Sequence, residues 1–308
     1  MKPKKSAEKT APVITGSDGV KLAMKVSKIS IAVNLILSVF KLLAGVLAHS
    51  GAMISDAVHS ASDVFSTIIV MIGVTISGKE SDKEHPYGHE RLECVASLLL
   101  AVILAATGFG IGKTGFDKLA GGNLDTLPVP GVLALTAAII SIAVKEWMYW
   151  YTRAAAKKIN SGALMADAWH HRSDSLSSIG ALIGILSARM GFPAGDPIAS
   201  LVICLFILKA AYDIFRDALD KMVDHACPDS MVEEIEALVL AQQGVEKIDD
   251  LKTRLFGAKV YVDVEIAVDG TKTLNEAHKI AEQVHDVIEA EIPGVKHCMV
   301  HENPVNVN

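Results

Sequence analysis

The sequence predicts an α-helical membrane protein with six transmembrane helices followed by a small cytosolic α+β domain. Two observations lead to this fold class. The chain of 308 residues is 51% hydrophobic and only 21% charged, with a mean hydropathy of +0.37, a balance typical of membrane proteins. Its apolar runs also exceed the roughly 10–12 residues that suffice for a helix inside a soluble globule, and they approach the ~20 residues that span hydrocarbon.

Six apolar segments can be marked along the chain. They cover about residues 24–48, 52–77, 91–117, 131–153, 162–189 and 195–221. Turn-forming residues lie in the breaks between them, including Gly51, Pro128, Pro130 and Pro193. Because such residues end a helix and reverse the chain, each break predicts a hairpin of two neighbouring helices.

The distribution of Lys and Arg predicts the orientation in the bilayer. The N-terminal tail and the loops at 77–91 and 153–160 are rich in basic residues, whereas the alternate loops carry few. Since basic loops stay on the cytoplasmic side, we expect both termini in the cytosol, in a multi-pass protein of the cell (inner) membrane. The charged start of the chain has no small-residue cleavage site after its first apolar run, so we expect no cleaved signal peptide.

The pattern changes after Pro228, where long apolar runs give way to shorter periodic stretches. An amphipathic run at 231–241 precedes an alternating strand pattern at 260–266, and a helical run at 274–291 is followed by a short apolar run at 295–300. This order of helix, strands, helix and strand predicts a small α+β domain. The predicted domains are a cytosolic tail (1–23), a transmembrane domain (24–225) and a cytosolic C-terminal domain (226–308).

Charge, motifs and cysteines exclude several function classes. The net charge of −6 and the lack of a clustered positive patch argue against a nucleic-acid partner. The sequence contains no HExxH, GxSxG or Walker loop, so we expect a transporter driven by an ion gradient and not an enzyme or an ATP-driven pump. The cysteines are far apart and form no CxxC pair, which indicates reduced thiols. They are Cys94, Cys204, Cys227 and Cys298.

Two of the apolar segments carry the same ionisable pattern, Asp-x-x-His-x-x-x-Asp. Its members are Asp56, His59 and Asp63 in the second segment and Asp167, His170 and Asp174 in the fifth. Spacings of three and then four residues place each set on one helical face. Two such helices facing each other could enclose a cation.

Energetics favour a metal site at this place. An ionisable side chain at mid-membrane costs about 2.5–3.5 kcal/mol on insertion scales, and a bound divalent cation would offset that cost. Imidazole and carboxylate at four positions match the tetrahedral preference of zinc. The predicted ligands are His59, Asp63, His170 and Asp174, with Asp56 and Asp167 one turn away as supporting or entry groups.

The competing interpretation is polar pairing between helices without any metal, which one cluster alone would fit equally well. The repeated spacing favours metal, because pairing does not require the same pattern twice. His171 and Arg172 lie off the ligand face, and Arg172 is expected at a helix end or in a charge pair.

These paired motifs, in this topology, resemble the cation diffusion facilitator family over about residues 24–306. The resemblance implies six spans, a ferredoxin-like cytosolic domain, a homodimer, and export of cytosolic divalent metal in exchange for protons. In the family the transport site is formed by HxxxD or DxxxD on spans two and five, and the four predicted ligands fill those places. Two His favour zinc, with iron, cobalt, cadmium or manganese as alternative substrates.

The resemblance also implies three sites outside the transport site. Asp82, His85 and His89 match a metal site in the cytoplasmic loop after span two, while Arg91 and Asp224 match a charged interlock at the dimer interface. The cytosolic domain matches a metal-binding site only in part, because carboxylates replace some of the family's imidazoles and Asn303 stands where some relatives have Asp. The candidates there are Asp249, Glu265, His278, His301 and Glu302.

A membrane-anchored metal sensor or scaffold is the alternative from another function class. In that case the cytosolic domain would respond to metal and the spans would only anchor it. The intramembrane ligands favour transport, because an anchor needs no such groups.

Overall fold

The computed structural model describes residues 17–47, 51–121, 132–190 and 195–305. Two units can be distinguished, one formed by Gly16–Lys157 with Ser161–Met222 and the other containing Val223–Asn308. Each unit has its own set of secondary-structure elements.

The first unit consists of long helices of 27 to 31 residues. They are α1 (Ser17–Leu47), α2 (Gly51–Ser77), α3 (Arg91–Ala120), α4 (Val132–Ile159), α5 (Gly162–Arg189) and α6 (Gly195–Met222). At 1.5 Å per residue each is about 40 Å long, which exceeds the ~30 Å of a hydrocarbon core. Within the described residues, length and composition alone mark two stretches as able to cross a membrane, Ser17–Ala44 and Arg91–Ala120.

The first helix begins at Ser17, before the apolar segment that the sequence predicts from residue 24. Its first turns are amphipathic, because Ala23 and Val26 are buried whereas Lys21 and Lys25 are exposed. A helix with one charged face has no long apolar run, so hydropathy places its start too late.

Helix α3 packs most extensively against α6, and glycines on α3 allow the close approach. A Cβ atom added to Gly112 would lie 2.5 Å from the Sγ atom of Cys204, and one added to Gly108 would lie 2.8 Å from the Cγ2 atom of Ile207. Small residues at such positions let two membrane helices pack backbone against backbone.

The helical unit exposes apolar side chains and buries polar ones. Phe65, Phe109 and Leu205 are between 66% and 70% exposed, whereas Asn34 and Thr67 are fully buried. Exposed apolar area of this extent indicates a surface that contacts lipid or a partner. The polar interior is where an ion would find ligands.

The second unit is a three-stranded sheet with two helices. Its elements are α7 (Asp229–Leu240), β1 (Lys247–Phe256), β2 (Lys259–Asp269), α8 (Leu274–Glu291) and β3 (Val295–Val305). The strand order is β1-β2-β3, with β2 antiparallel to β1 and parallel to β3. This arrangement confirms the predicted small α+β domain.

Helix α8 is the crossover between the parallel strands, and it packs on the sheet with α7. The core contains Ile235 of α7, Val264 and Ile266 of β2, and Val284 and Ile288 of α8, each no more than 1% exposed. The central strand β2 carries the alternation seen in the sequence. The edge strand β1 is only partly buried, and its apolar and charged residues do not alternate.

All four cysteines of the chain are reduced and buried. In the second unit, burial raises the pKa of the Cys298 thiol to about 12 and also raises that of Cys227. Since the thiolate is the nucleophilic form, these thiols are unreactive.

Candidate metal site

Three of the four predicted transport-site ligands form one buried cluster. Asp63 comes from α2, and His170 and Asp174 come from adjacent turns of α5. One potential ligand atom from each lies within 4.8 Å of the others, and Nε2 of His170 is 3.3 Å from Oδ1 of Asp63. The three residues are 2%, 5% and 8% exposed, respectively. The arrangement offers one nitrogen and two carboxylates to a cation.

The remaining members of the α2 motif lie outside the described side chains. The described helix α2 includes the backbone of Asp56 and His59, so both stay predictions as supporting group and fourth ligand.

The structure adds a residue that the sequence reasoning missed, Lys145 of α4. Its Nζ atom donates hydrogen bonds to Oδ2 of Asp63 at 2.5 Å and to Oδ2 of Asp174 at 2.9 Å. The side chain is only 3% exposed. A signal was present in the sequence, because residues 132–144 contain no charged residue and Lys145 ends that run. An ionisable residue within an apolar span predicts a function and a charged partner.

A second buried polar cluster joins α1, α2 and α5 around Asp167. Its Oδ1 atom accepts a hydrogen bond from Oγ1 of Thr67 at 3.2 Å. Its Oδ2 atom lies 3.6 Å from Nε2 of His171, and that nitrogen is 2.7 Å from Oγ of Ser30. Asp167 therefore links the helices that carry the ligand cluster, which fits a supporting group. His171, which the spacing places off the ligand face, belongs to this cluster.

Arg172 also lies away from the ligand cluster. Its guanidinium is 3.5 Å from Oε1 of Glu146 and stacks on the Tyr149 ring, with Cζ 4.3 Å from the centroid. It ties α5 to α4 through a charge pair and a cation–π contact.

A small polar cavity adjoins the ligand cluster. Its volume is about 50 Å³, enough for one water molecule or a few. Hydroxyl and ammonium groups dominate its walls. The lining residues are Lys41, Ser60, Ser141, Lys145, Asp174, Ser177 and Ser178.

The loop between α2 and α3 brings the three predicted loop ligands together. Ligand atoms of Asp82, His85 and His89 lie within 4.8 Å of one another. The backbone N–H groups of His85 and Glu84 donate to Oδ1 of Asp82 at 2.7 and 2.9 Å, and these bonds, the one from His85 foremost, lower the pKa of that carboxyl. Asp82 is therefore held as a carboxylate, the form that binds a metal.

His89 is the buried member of the loop cluster, and both of its ring nitrogens have neighbours. Nδ1 lies 3.1 Å from the backbone oxygen of Glu80, while Nε2 lies 3.4 Å from Oδ2 of Asp82. A carbonyl contact on one nitrogen fixes the ring and directs the other nitrogen to a metal.

The candidates in the second unit are only partly assembled. Nδ2 of Asn303 donates to Asp249 and to Glu265, each at 3.2 Å, and Glu265 pairs with His301 across the parallel strands. The neighbouring Glu302 is paired with Ile266 instead. His278 lies on α8, where its Nε2 atom is 3.7 Å from Oε1 of Glu282. Among the described residues, three ligand atoms come within 4.8 Å only in the α2–α5 cluster and in the loop cluster.

The two residues of the predicted interlock belong to different units. Arg91 begins α3, whereas Asp224 follows α6 and has a left-handed backbone with φ of 60°. Their pairing stays a prediction.

Comparison with known proteins gives matches to both units. The profile of the cation efflux transmembrane domain matches residues 27–223, and that of the cation efflux protein cytoplasmic domain matches residues 227–305. Metal tolerance protein C1 of Arabidopsis thaliana is 35% identical over 292 residues, which cover 91% of this chain. The chain spans only 62% of that plant protein's length.

Two bacterial relatives match along most of their length. Manganese efflux system protein MneP of Bacillus subtilis is 30% identical over 94% of this chain and 98% of MneP. Magnetosome protein MamB of a Magnetospira species is 30% identical over 89% of this chain and 93% of MamB. Because both domain profiles match and together cover most of the chain, the protein belongs to the cation diffusion facilitator (cation efflux) family, whose members are multi-pass membrane transporters and not enzymes.

Proposed function

We propose that this protein exports divalent metal cations from the cytosol in exchange for protons, and that Asp63, His170 and Asp174 bind the metal during transport. The observation that carries the proposal is their convergence from two helices into one buried cluster. His59 is the proposed fourth ligand. We propose that Asp56 and Asp167 support α2 and α5, the helices that carry the proposed ligands.

Charge balance supports a cation at this place. Two carboxylates held close together inside a protein repel each other and lose their hydration, so they require a positive partner. In the structure Lys145 supplies one positive charge to both carboxylates. A divalent cation in its place would neutralise Asp63 and Asp174 together, and the His170 nitrogen would complete a mixed set of ligands. Neutral imidazole and carboxylate suit first-row metals.

Zinc is the proposed preferred substrate, because imidazole nitrogens favour it over the harder cations. Manganese is the second candidate, since MneP, a relative at 30% identity, is described as a manganese efflux protein and carboxylate oxygens suit this metal. Iron, cobalt and cadmium are further alternatives. We expect Zn²⁺ to inhibit Mn²⁺ flux into vesicles at lower concentration than Mn²⁺ inhibits Zn²⁺ flux, and the reverse order would identify manganese as the substrate.

Exchange for protons follows from the ligand types, because His and Asp side chains bind either a metal or protons. We expect vesicles with an imposed pH gradient to accumulate metal against its concentration gradient. Collapse of the pH gradient by an ionophore should stop that accumulation, as followed with a metal-sensitive dye inside the vesicles. Accumulation that is indifferent to the pH gradient would contradict antiport.

We further propose a homodimer in the cell (inner) membrane, in which each protomer has six spans and both termini in the cytosol. The length of the six helices and the match to the family's cytoplasmic domain support this arrangement. The Arg91–Asp224 interlock is proposed to act at the dimer interface. Cross-linking of the protein in intact membranes tests the dimer, and protease access to the terminal unit tests the topology.

The cytoplasmic loop is proposed to hold a second metal ion at Asp82, His85 and His89. We expect His89→Ala to lower the metal bound per protomer by one ion, because it removes the buried ring nitrogen of the cluster. His225→Ala, which changes an exposed histidine outside the cluster, is the control. Equilibrium dialysis with metal analysis measures the number of metal ions bound per protomer. Equal metal content in both variants would contradict the proposed loop site. A weaker metal site is proposed in the cytosolic domain, at Asp249, Glu265, His278, His301 and Glu302.

The competing proposal is a membrane-anchored metal sensor or scaffold. In that case replacing His170 or Asp174 by Ala would leave the rate of metal entry into vesicles unchanged. Metal binding to the loop or the cytosolic domain would also persist. Loss of flux in both variants separates a transporter from an anchor.

A further inference from the structure

Lys145 places a positive charge between the two carboxylates of the proposed transport site. Its Nζ atom is 2.5 Å from Oδ2 of Asp63 and 2.9 Å from Oδ2 of Asp174. The lysine belongs to α4, while the carboxylates belong to α2 and α5. Its ammonium therefore occupies the point at which ligands from two other helices converge, and all three side chains are buried.

A metal and the ammonium cannot both use these oxygen atoms. Zinc binds carboxylate oxygens at about 2.0–2.2 Å, so a metal coordinated by both Oδ2 atoms would stand where Nζ now stands. Two cations at such a distance would also repel each other strongly in a site of low dielectric. Binding of metal at these atoms requires Lys145 to move.

The cavity beside the cluster provides a place for the displaced ammonium. Lys145 already lines this cavity of about 50 Å³, together with the hydroxyl groups of Ser141, Ser177 and Ser178 and the carboxylate of Asp174. Lys41 also lines it, with its ammonium donating to Oγ of Ser60. Lysine has a flexible stem of four carbons and three rotatable donors. A rotation of its last bonds would exchange carboxylate acceptors for hydroxyl acceptors without bringing the charge into contact with lipid.

We propose that Lys145 is a tethered cation that occupies the transport site when metal is absent and moves into the serine-lined cavity when metal binds. This inference rests on the proposed function. The ammonium keeps the empty carrier neutral enough to change conformation, and it lowers metal affinity so that the metal is released. It also selects for charge, because a monovalent ion gains no electrostatic advantage over the ammonium, whereas a divalent ion does.

The test compares Lys145→Gln with Lys209→Gln in the full-length protein. Lys209 lies on α6, is 68% exposed and pairs with Asp213, so its variant controls for the loss of one lysine from a membrane helix. In Lys145→Gln we expect the Kd for Zn²⁺ and for Mn²⁺, measured by calorimetry in detergent, to fall at least about tenfold because a competing charge is gone. In vesicles KM and the maximal flux should both fall, since metal is held too long. The control should match wild type in every measurement.

A readout of ion selectivity separates this role from a purely structural one. Replacing choline by Na⁺ in the buffer should weaken metal binding in Lys145→Gln but not in wild type. An unchanged or weaker metal affinity in folded Lys145→Gln, or the same sodium response in both proteins, would overturn the inference.

Lys145→Arg keeps the test decisive if the Gln variant does not fold. The guanidinium retains the charge, pairs with carboxylates in a bidentate manner and is larger than the ammonium, so it should be harder to displace. We expect Lys145→Arg to weaken metal binding at least about tenfold, again for electrostatic reasons, and wild-type affinity in that variant would contradict the proposal.

Asp174→Ala in the same vesicles distinguishes failure of the proposed transport site from failure of the proposed role of Lys145. If this variant transports metal normally, the proposed transport site is wrong. If it loses flux while the Lys145 variants bind metal as wild type does, the site stands and only the tethered cation is refuted.

Discussion

Asp63→Asn is expected to reduce metal flux by about 100-fold or more, equivalent to about 2.8 kcal/mol at 1.4 kcal/mol per factor of ten. Asp63 is the proposed ligand from α2, and its two oxygens face Nε2 of His170 and Nζ of Lys145 at 3.3 and 2.5 Å. Asn keeps the shape of the side chain but removes the negative charge that attracts the metal. The loss should therefore appear in flux without loss of the fold.

The measurement is the initial rate of metal entry into vesicles that contain equal amounts of each variant. Asp213→Asn is the matched control, because Asp213 is an exposed carboxylate on α6 that pairs with Lys209. Comparable size-exclusion profiles establish that both variants are folded. Flux within about twofold of wild type in Asp63→Asn, a difference of only about 0.4 kcal/mol, would show that Asp63 is not part of the proposed transport site.

Gly112→Leu is expected to abolish most of the folded protein. A Cβ atom at this position would stand 2.5 Å from the Sγ atom and 3.1 Å from the Cβ atom of Cys204, so a larger side chain must push α3 away from α6. Overpacking a buried site costs about 1–3 kcal/mol and sometimes more. The cost should be at the high end here, because α3 and α6 form the most extensive helix contact of the described residues.

Gly110→Leu provides a control on the same helix. Apart from its chain neighbours and the nearby backbone of α3 itself, no atom of the described residues lies within 4 Å of a Cβ added to Gly110, and the position is exposed. The yield of monodisperse protein and its melting temperature in detergent should fall for Gly112→Leu and stay near wild type for Gly110→Leu. Equal behaviour of the two variants would mean that this helix pair is not closely packed.

Much of the fold follows from periodicity, but the sequence signal fails where an element has two faces or an exposed edge. The long apolar runs locate α2 and α3 well, since a helix that is apolar on most sides leaves a continuous signal. The apolar run marks the start of α1 later than Ser17, because Lys21 and Lys25 interrupt it. Apolar and polar residues do not alternate along strand β1, since this edge strand contains Asp249, Asp250 and Lys252, so the pattern does not predict it.

The candidate site was predictable to the extent that its residues repeat. Spacing alone predicts His170 and Asp174 as a pair of ligands, because residues at i and i+4 lie on one helical face. Lys145 has no such motif, and its partners lie on other helices. A charge that ends a long apolar run indicates a role, but the packing of α2, α4 and α5 decides which carboxylates it meets.

Because the native cysteines are buried, the chain can be labelled at one introduced cysteine without labelling of the native ones. A maleimide reacts with thiolate, and all four native thiols are buried. In the second unit the raised pKa of Cys227 and of Cys298 lowers the fraction of thiolate, the reactive form, further. A cysteine introduced at an exposed loop position such as Glu84 can therefore carry a spectroscopic probe without prior removal of the native ones. Distances between probes on the two protomers of the proposed homodimer then become measurable in the otherwise unaltered protein.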